Sequence, residues 1–206
     1  MARRPRQLPA EGMFHLIGRA NHTERLFRHE VDFLAFFSIL KRLMPPRDFF
    51  IRNYTLMHTH YHLVAWIENT ANLASYIKSL HLTYYYYYLK RYGYRGHLWH
   101  SRYRSIPIES EEQRVHCGRY VEINPVHAGI CRDPVDYKWS SARYYVNGEP
   151  DPLIRLMDPA EEKSLMQKSV REGYRRFLLA GIDMNYQALK REFECEKKQL
   201  NRGNKT

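Results

Sequence analysis

Residues 49–67, FFIRNYTLMHTHYHLVAWI, are rich in β-branched and aromatic side chains and lie between two stretches of helical period. A chain built this way must lay its flanking helices on a sheet to bury their apolar stripes. Upstream, the apolar residues of VDFLAFFSILKRLM (31–44) recur at helical spacing, and Pro45-Pro46 stops that helix. Downstream, LASYIKSLHLTYYYYYLKRYG (73–93) predicts a long helix that starts near Asn72 and ends at Gly93. MFHLIGRA (13–20) alternates as a strand does, 49–57 and 58–67 predict one strand or two, and HLWHSRYRSIPI (97–108) is strand-like. Ser110 caps a further helix, with Glu111 and Glu112 in its first turn, Gln113 closing a capping box, and its end near Ile123.

Strand, helix, strands, helix, strand, helix is the order of an α+β fold. The economical arrangement is a ferredoxin-like, or RRM-like, antiparallel sheet with helices packed on it. After the break NGEPDP (147–152) the composition turns polar and helical. There EEKSLMQKSVREGYRRFLLAG and NYQALKREFECEKKQL predict two helices, the second solvated at its end. Three regions are expected: a flexible basic arm over 1–11, a main domain over 12–148 and a helical extension over 149–206.

Charge bears on partners. The chain carries 33 Lys+Arg against 22 Asp+Glu, a formal +11, which suits a polyanion or an anionic surface. Basic residues interleave with rings in TYYYYYLKRYGYRGHLWHSRYRS (83–105), as in single-strand nucleic-acid grooves, although a core helix beside a solvated basic face has the same composition. Cys117, Cys131 and Cys195 show neither metal spacing nor an even disulfide set, so reduced thiols are expected. No apolar run reaches the roughly 18 residues of a membrane span, and MARRPRQLPAEG lacks the apolar core of a signal peptide, so the expected location is cytoplasmic.

Three histidines, His58, His60 and His62, stand at every second position of the central stretch. On a regular strand they share a face about 6.6 Å apart, which leaves His58 and His62 about 13 Å apart. At most one adjacent pair can then share an ion, given metal–nitrogen bonds near 2 Å. Half-buried strand histidines, a zinc site and a metal-assisted nuclease all fit that pattern. In GRYVEINPVHAGI (118–130), Tyr120 and Asn124 are four apart and share a helix face. A phenol of pKa near 10 is a poor nucleophile unless a divalent cation polarises its target. Asn124 before Pro125 also fits a plain helix cap, and with 17 tyrosines in the chain spacing alone does not select Tyr120.

The motifs FHLIGRANHTERLF, LMHTHYHLV, GHLWHSRYRS, RYVEINPVHAGI and YKWSSARYY, in this order over residues 13–145, resemble the REP-associated tyrosine transposases. These are a branch of the HUH endonucleases with one catalytic tyrosine. The resemblance implies that 12–148 is the catalytic domain, that His60, His62 and Asn124 hold Mg²⁺ or Mn²⁺, and that Tyr120 is the nucleophile. It implies cleavage of single-stranded DNA near a hairpin of REP palindromes, a 5′-phosphotyrosine link and a free 3′-hydroxyl. The five-tyrosine run 84–88 then serves helix packing, with rings that can also face DNA. Where the family has Pro-Asn this chain has His58-Thr59, which leaves His58 as an extra, second-shell candidate. His127 and His100 replace a family arginine and glutamine, so altered and more pH-sensitive DNA contacts are expected, to be checked by binding titrations at two pH values. Candidate phosphate contacts are Arg19, Lys78, Lys90, Arg91, Arg95, Arg102 and Arg104. The protein is expected as monomer or homodimer, associated with the nucleoid. The rival expectations are a catalytically silent nucleic-acid-binding protein of the same fold and a small zinc hydrolase.

Overall fold

The computed structural model describes residues 8–21, 24–45, 47–165, 167–185 and 187. Most of the expected basic arm and nearly all of NYQALKREFECEKKQL, with Cys195, lie outside them. In chain order the elements are β1 (Gly12–Arg19), α1 (Glu30–Leu43), β2 (Phe49–Met57), β3 (His60–Ile67), α2 (Leu73–Tyr92), β4 (Arg104–Ile108), α3 (Glu111–His127), α4 (Ala142–Asn147), α5 (Pro159–Leu165) and α6 (Lys168–Ile182). The four strands form one sheet in the order β2-β3-β1-β4, every neighbouring pair antiparallel. This is the ferredoxin-like order expected from the alternation of strands and helices.

Helices cover both faces. Phe14 and Leu16 of β1, Tyr54 and Leu56 of β2 and Tyr61, Leu63 and Ala65 of β3 join one core with Phe33, Phe36 and Leu40 of α1 and Ile77, Leu80, Tyr84 and Tyr88 of α2. On the opposite face, Val64 and Ile108 pack with Tyr120, Val121 and Ile123 of α3 and Leu178 of α6. A bulge in β2 between Ile51 and Asn53 makes these two faces consistent. Ile51 and Tyr54 both enter the α1/α2 core, because the inserted residue resets the period-two alternation. Asn53 and Thr55 are thereby turned toward α3.

The five-tyrosine run packs much as expected. Tyr84 and Tyr88 are fully buried, the Tyr84 hydroxyl donates to the Leu26 carbonyl, and the Tyr87 hydroxyl donates to Asp32. The helix ends at Gly93, whose φ of 64° is a conformation glycine adopts without the Cβ penalty. Ser110 caps α3 by accepting from the Gln113 N–H, while the Gln113 side chain reaches back to the Glu109 N–H.

Four expectations are corrected. Residues 49–67 form two strands of a hairpin, and His58 sits in the turn rather than on the strand. Its Nδ1 lies 2.8 Å from the Phe27 carbonyl, and its ring packs edge-on against Phe33, on the α1 side of the sheet. Of 97–108 only Arg104–Ile108 is a strand, joined upstream by an isolated bridge from Trp99 to Ala20. The helix expected to stop near Ile123 runs on to His127, with Asn124-Pro125 inside it rather than at a cap. The stretch 161–181, expected as one helix, carries α5 and α6. Within the extension, the Arg155 N–H bonds to the Ile51 carbonyl on the outer edge of β2, and α6 docks on α3.

Candidate active site

The site is assembled from β1, β3 and α3. Cross-strand partners point to the same face, and the register pairs Ile17 with His62, Arg19 with His60 and Ile17 with Arg104. His60, His62, His15, Arg19 and Arg104 therefore all project toward the α3 side. His62 is buried and His60 half-buried. Their ring centroids are 4.9 Å apart at an interplanar angle of 84°. Burial, and then the positive charge of Arg19, push His60 down to about 4, so its imidazole is neutral near pH 7.

Helix α3 supplies Tyr120. It comes close to the sheet because Gly118 faces Asn53: a Cβ there would lie 2.9 Å from the Asn53 Oδ1. Pro125 has no N–H for the Val121 carbonyl, and the Thr55 hydroxyl of β2 donates to that carbonyl at 2.7 Å. The proline inside the helix thus becomes a tie between α3 and the sheet. Tyr120 is 3% exposed and its ring stands at 89° to His62, centroids 5.7 Å apart. Asn124 follows one turn on, buried, with its amide nitrogen donating back to the Tyr120 carbonyl. Its carbonyl oxygen is the atom suited to a cation.

The chain holds one site residue that sequence reasoning missed. His15 is 1% exposed and its Nε2 lies 2.8 Å from the His62 Nδ1, with the two rings stacked at 5.0 Å. That bond leaves Nε2 as the nitrogen His62 can offer an ion. The available signal was a histidine between Met13 and Ile17 on the alternating face of β1.

The donors at this site bear on a divalent cation. Two imidazoles and an amide oxygen fit such an ion with coordination positions left for a phosphate, so the residues fit the group. Among the described residues no group of three His, Cys, Asp or Glu converges on one point. With His58 on the other face, the strand trio a zinc hydrolase needs is not assembled.

The candidate phosphate contacts divide by location. Arg19 and Arg104 stand on the site's face, beside His60 and Ile17. Lys78 and Arg102 line a groove on the α2 side, and Lys90 and Arg95 are exposed at the end of α2 and in the loop after it. Arg91 lies 3.3 Å from the buried Asp32 and over the Tyr92 ring, so it is already engaged within the fold. His100 donates its backbone N–H to the Arg19 carbonyl. Of the two described cysteines, Cys117 is buried in the α3 core and Cys131 is free.

Behind Tyr120, Glu122 is fully buried and accepts from Asn53, Ser141 and, at 2.8 Å, Tyr174 of α6. The Phe177 ring of α6 lies 4.3 Å from the Arg119 guanidinium. The extension therefore braces the helix that carries Tyr120.

No helix among the described residues is long and apolar enough to cross a membrane. No curated protein matches the chain. A solved REP-associated tyrosine transposase bound to a REP hairpin is similar in fold, with a TM-score of 0.58 and 18% identity over 76% of this chain and 92% of that one. Residues 10–124, which include β1, both strands of the hairpin, α2, β4 and α3 through Asn124, match the family "Transposase IS200 like". The chain belongs to the IS200-like transposase family.

Proposed function

We propose that the protein is a metal-dependent single-stranded DNA endonuclease and strand transferase of the REP-associated branch, acting near REP-type hairpins through a 5′-phosphotyrosine intermediate. One observation carries this reading: the Tyr120 ring packs on His62, on the sheet face that also presents His60 and Arg19. His60, His62 and the Asn124 carbonyl oxygen would hold Mn²⁺ or Mg²⁺, with His15 orienting His62. Such an ion polarises the scissile phosphate and stabilises the charge that develops on it. Arg19 and Arg104 orient the phosphate from the side of His60, the exposed side of the site. The Tyr120 oxygen attacks phosphorus and the bond to the 3′ oxygen breaks. The 5′ phosphate is left on Tyr120 and a 3′-hydroxyl is released, which can reverse the step on another strand without ATP. Imidazole pairs favour softer ions than Mg²⁺, so Mn²⁺ is the better activator and zinc an inhibitor.

Residues 12–148 form the catalytic unit, 149–206 an extension whose α6 braces it, and the protein works in the cytoplasm at the nucleoid as a monomer or homodimer. The burial of Tyr120 favours a second reading, a nucleic-acid-binding protein of the same fold without catalysis. A denaturing gel of the protein with labelled hairpin DNA and Mn²⁺ decides between them. A covalent band lost in Tyr120→Phe is expected; tight binding with no band in any divalent metal establishes the silent reading instead.

A further inference from the structure

Lys78, His81, Leu82, Tyr85, Trp99 and Arg102 line a groove of about 480 Å³ between α2 and the segment leading into β4. The volume falls within the roughly 300–1,000 Å³ of small-ligand sites. Its wall is rigid. The Trp99 indole stacks on His81 at 3.7 Å and 7°, its N–H donates to the His81 carbonyl, and the His81 Nε2 lies 2.9 Å from the Tyr61 hydroxyl. Apolar surface is left open beside it, with Leu82 46% and Tyr86 58% exposed. Lys78 and Arg102 are exposed, and among the described residues neither has an acidic partner within ion-pair distance. Arg91, on the same helix as Lys78, does have one in Asp32.

The groove is tied through the backbone to the strand end that carries the candidate active site. Trp99 bridges to Ala20, the residue after Arg19, and Arg19 pairs with His60. Arg104, two residues beyond Arg102, faces the catalytic side as the partner of Ile17. Cations thus flank both sides of the edge strand β4, with an apolar floor on the far side. That pattern suits a strand whose phosphates follow the cations while a base leaves water for a ring-lined floor.

We propose that this groove takes up an unpaired nucleobase of the DNA strand as it passes round the β4 edge from the catalytic face. The proposal rests on the reading of the protein as a single-strand endonuclease, and it adds a base-binding subsite away from the reacting phosphate. An apolar floor binds a base by its face, so the subsite selects for an unpaired base more than for a particular one.

The test needs no active enzyme. Hairpin oligonucleotides with a single-stranded flank, carrying one abasic position at a time, are titrated against the wild-type protein in metal-free buffer at fixed salt. One flank position is expected to lose roughly tenfold in affinity when abasic, the order of one base–aromatic stack. Leu82→Glu, at an exposed position, is expected to weaken the flanked hairpin by a similar factor, with no added loss at that abasic position. A flankless hairpin is bound as by the wild type. A flat abasic scan overturns the proposal, as does a Leu82→Glu loss that is equal with and without the flank. A flat scan with Leu82→Glu shifting the protein to a smaller species in solution overturns it in favour of a second copy on this face. Failure of the catalytic reading looks different: the scan shows its position, yet no covalent band forms with Mn²⁺.

Discussion

Asp32 and Glu122 are both fully buried carboxylates, one on each side of the sheet, and their surroundings treat the charge in opposite ways. Burial would raise Asp32, but it accepts from Tyr92, from the backbone N–H of His29, from Tyr87 and from the N–H of Arg28, which together hold it below the usual carboxylate range. Burial also raises Glu122; its donors Ser141, Asn53 and Tyr174 are all neutral, Asp151 adds repulsion, and the result is about 7. Charge-assisted bonds to the two N–H groups just ahead of α1, with Arg91 at 3.3 Å, compensate the lost hydration of an anion, whereas three neutral donors beside another acid do so only in part. Apart from Asp32, the buried polar side chains, among them His15, Asn53, Thr55, His62, Arg119 and Asn124, gather on the α3 side or at the β2 edge beside it. The α1/α2 core is built almost wholly of apolar and aromatic side chains, and the α3 side gives up apolar burial to hold most of the buried polar groups.

The sharpest way to break this contrast is to remove one hydroxyl from each face. Tyr120→Phe is expected to abolish the covalent DNA adduct while hairpin binding persists. Tyr84→Phe, across the sheet, is expected to leave the adduct and cost about 1 kcal/mol of stability in urea unfolding, through the lost bond to Leu26. An adduct that survives Tyr120→Phe would place the nucleophile elsewhere.

Next in size is Asp32→Ala. It strands two tyrosine hydroxyls, two N–H groups and Arg91, and about 3 kcal/mol of destabilisation is expected at neutral pH. A loss under about 1 kcal/mol would mean that the network stabilises little.

The pH dependences of the two carboxylates should have opposite signs. Asp32 is lowered in the fold, so its contribution is present above the unfolded carboxyl pKa near 3.9 and is lost as pH falls through the folded value. Glu122 is raised, so the native state binds the proton more tightly, and stability falls as pH rises from about 4.3, the unfolded value, to about 7. Glu122→Gln, which stays neutral, is expected to gain stability relative to wild type between pH 5 and pH 8. Urea titrations at the two pH values check the sign, and a difference independent of pH would refute the buried, proton-holding Glu122.

The smallest effect separates cations. Arg19→Ala is expected to reduce the slope of log affinity against log salt by about 0.7–0.9, one phosphate contact, and Arg91→Ala to leave it unchanged. Equal slopes would put Arg91 back among the DNA contacts.

Much of this architecture was legible in the chain. Local patterns specify elements: helical period with a Pro-Pro stop for α1, Gly93 for the end of α2 and the Ser110 cap for α3. The spaced motifs pointed to His60, His62, Tyr120 and Asn124, and the fold gathers at least His60, His62 and Tyr120 at one place. What stayed hidden depends on register and long-range pairing. The β2 bulge, invisible in FFIRNYTLM, decides which face Asn53 and Thr55 serve. The hairpin turn at His58-Thr59 removes His58 from the strand on which its spacing had placed it. His15 meets His62 across 47 positions of sequence, and Glu122 meets Tyr174 across 52. The sequence by itself determined most of the elements, their order and the candidate residues they carry, because propensity, caps and periodicity act over a few residues. Only the tertiary structure decided which face each polar side chain occupies and which partner it meets, because those contacts exist only once distant strands and helices have closed on one another.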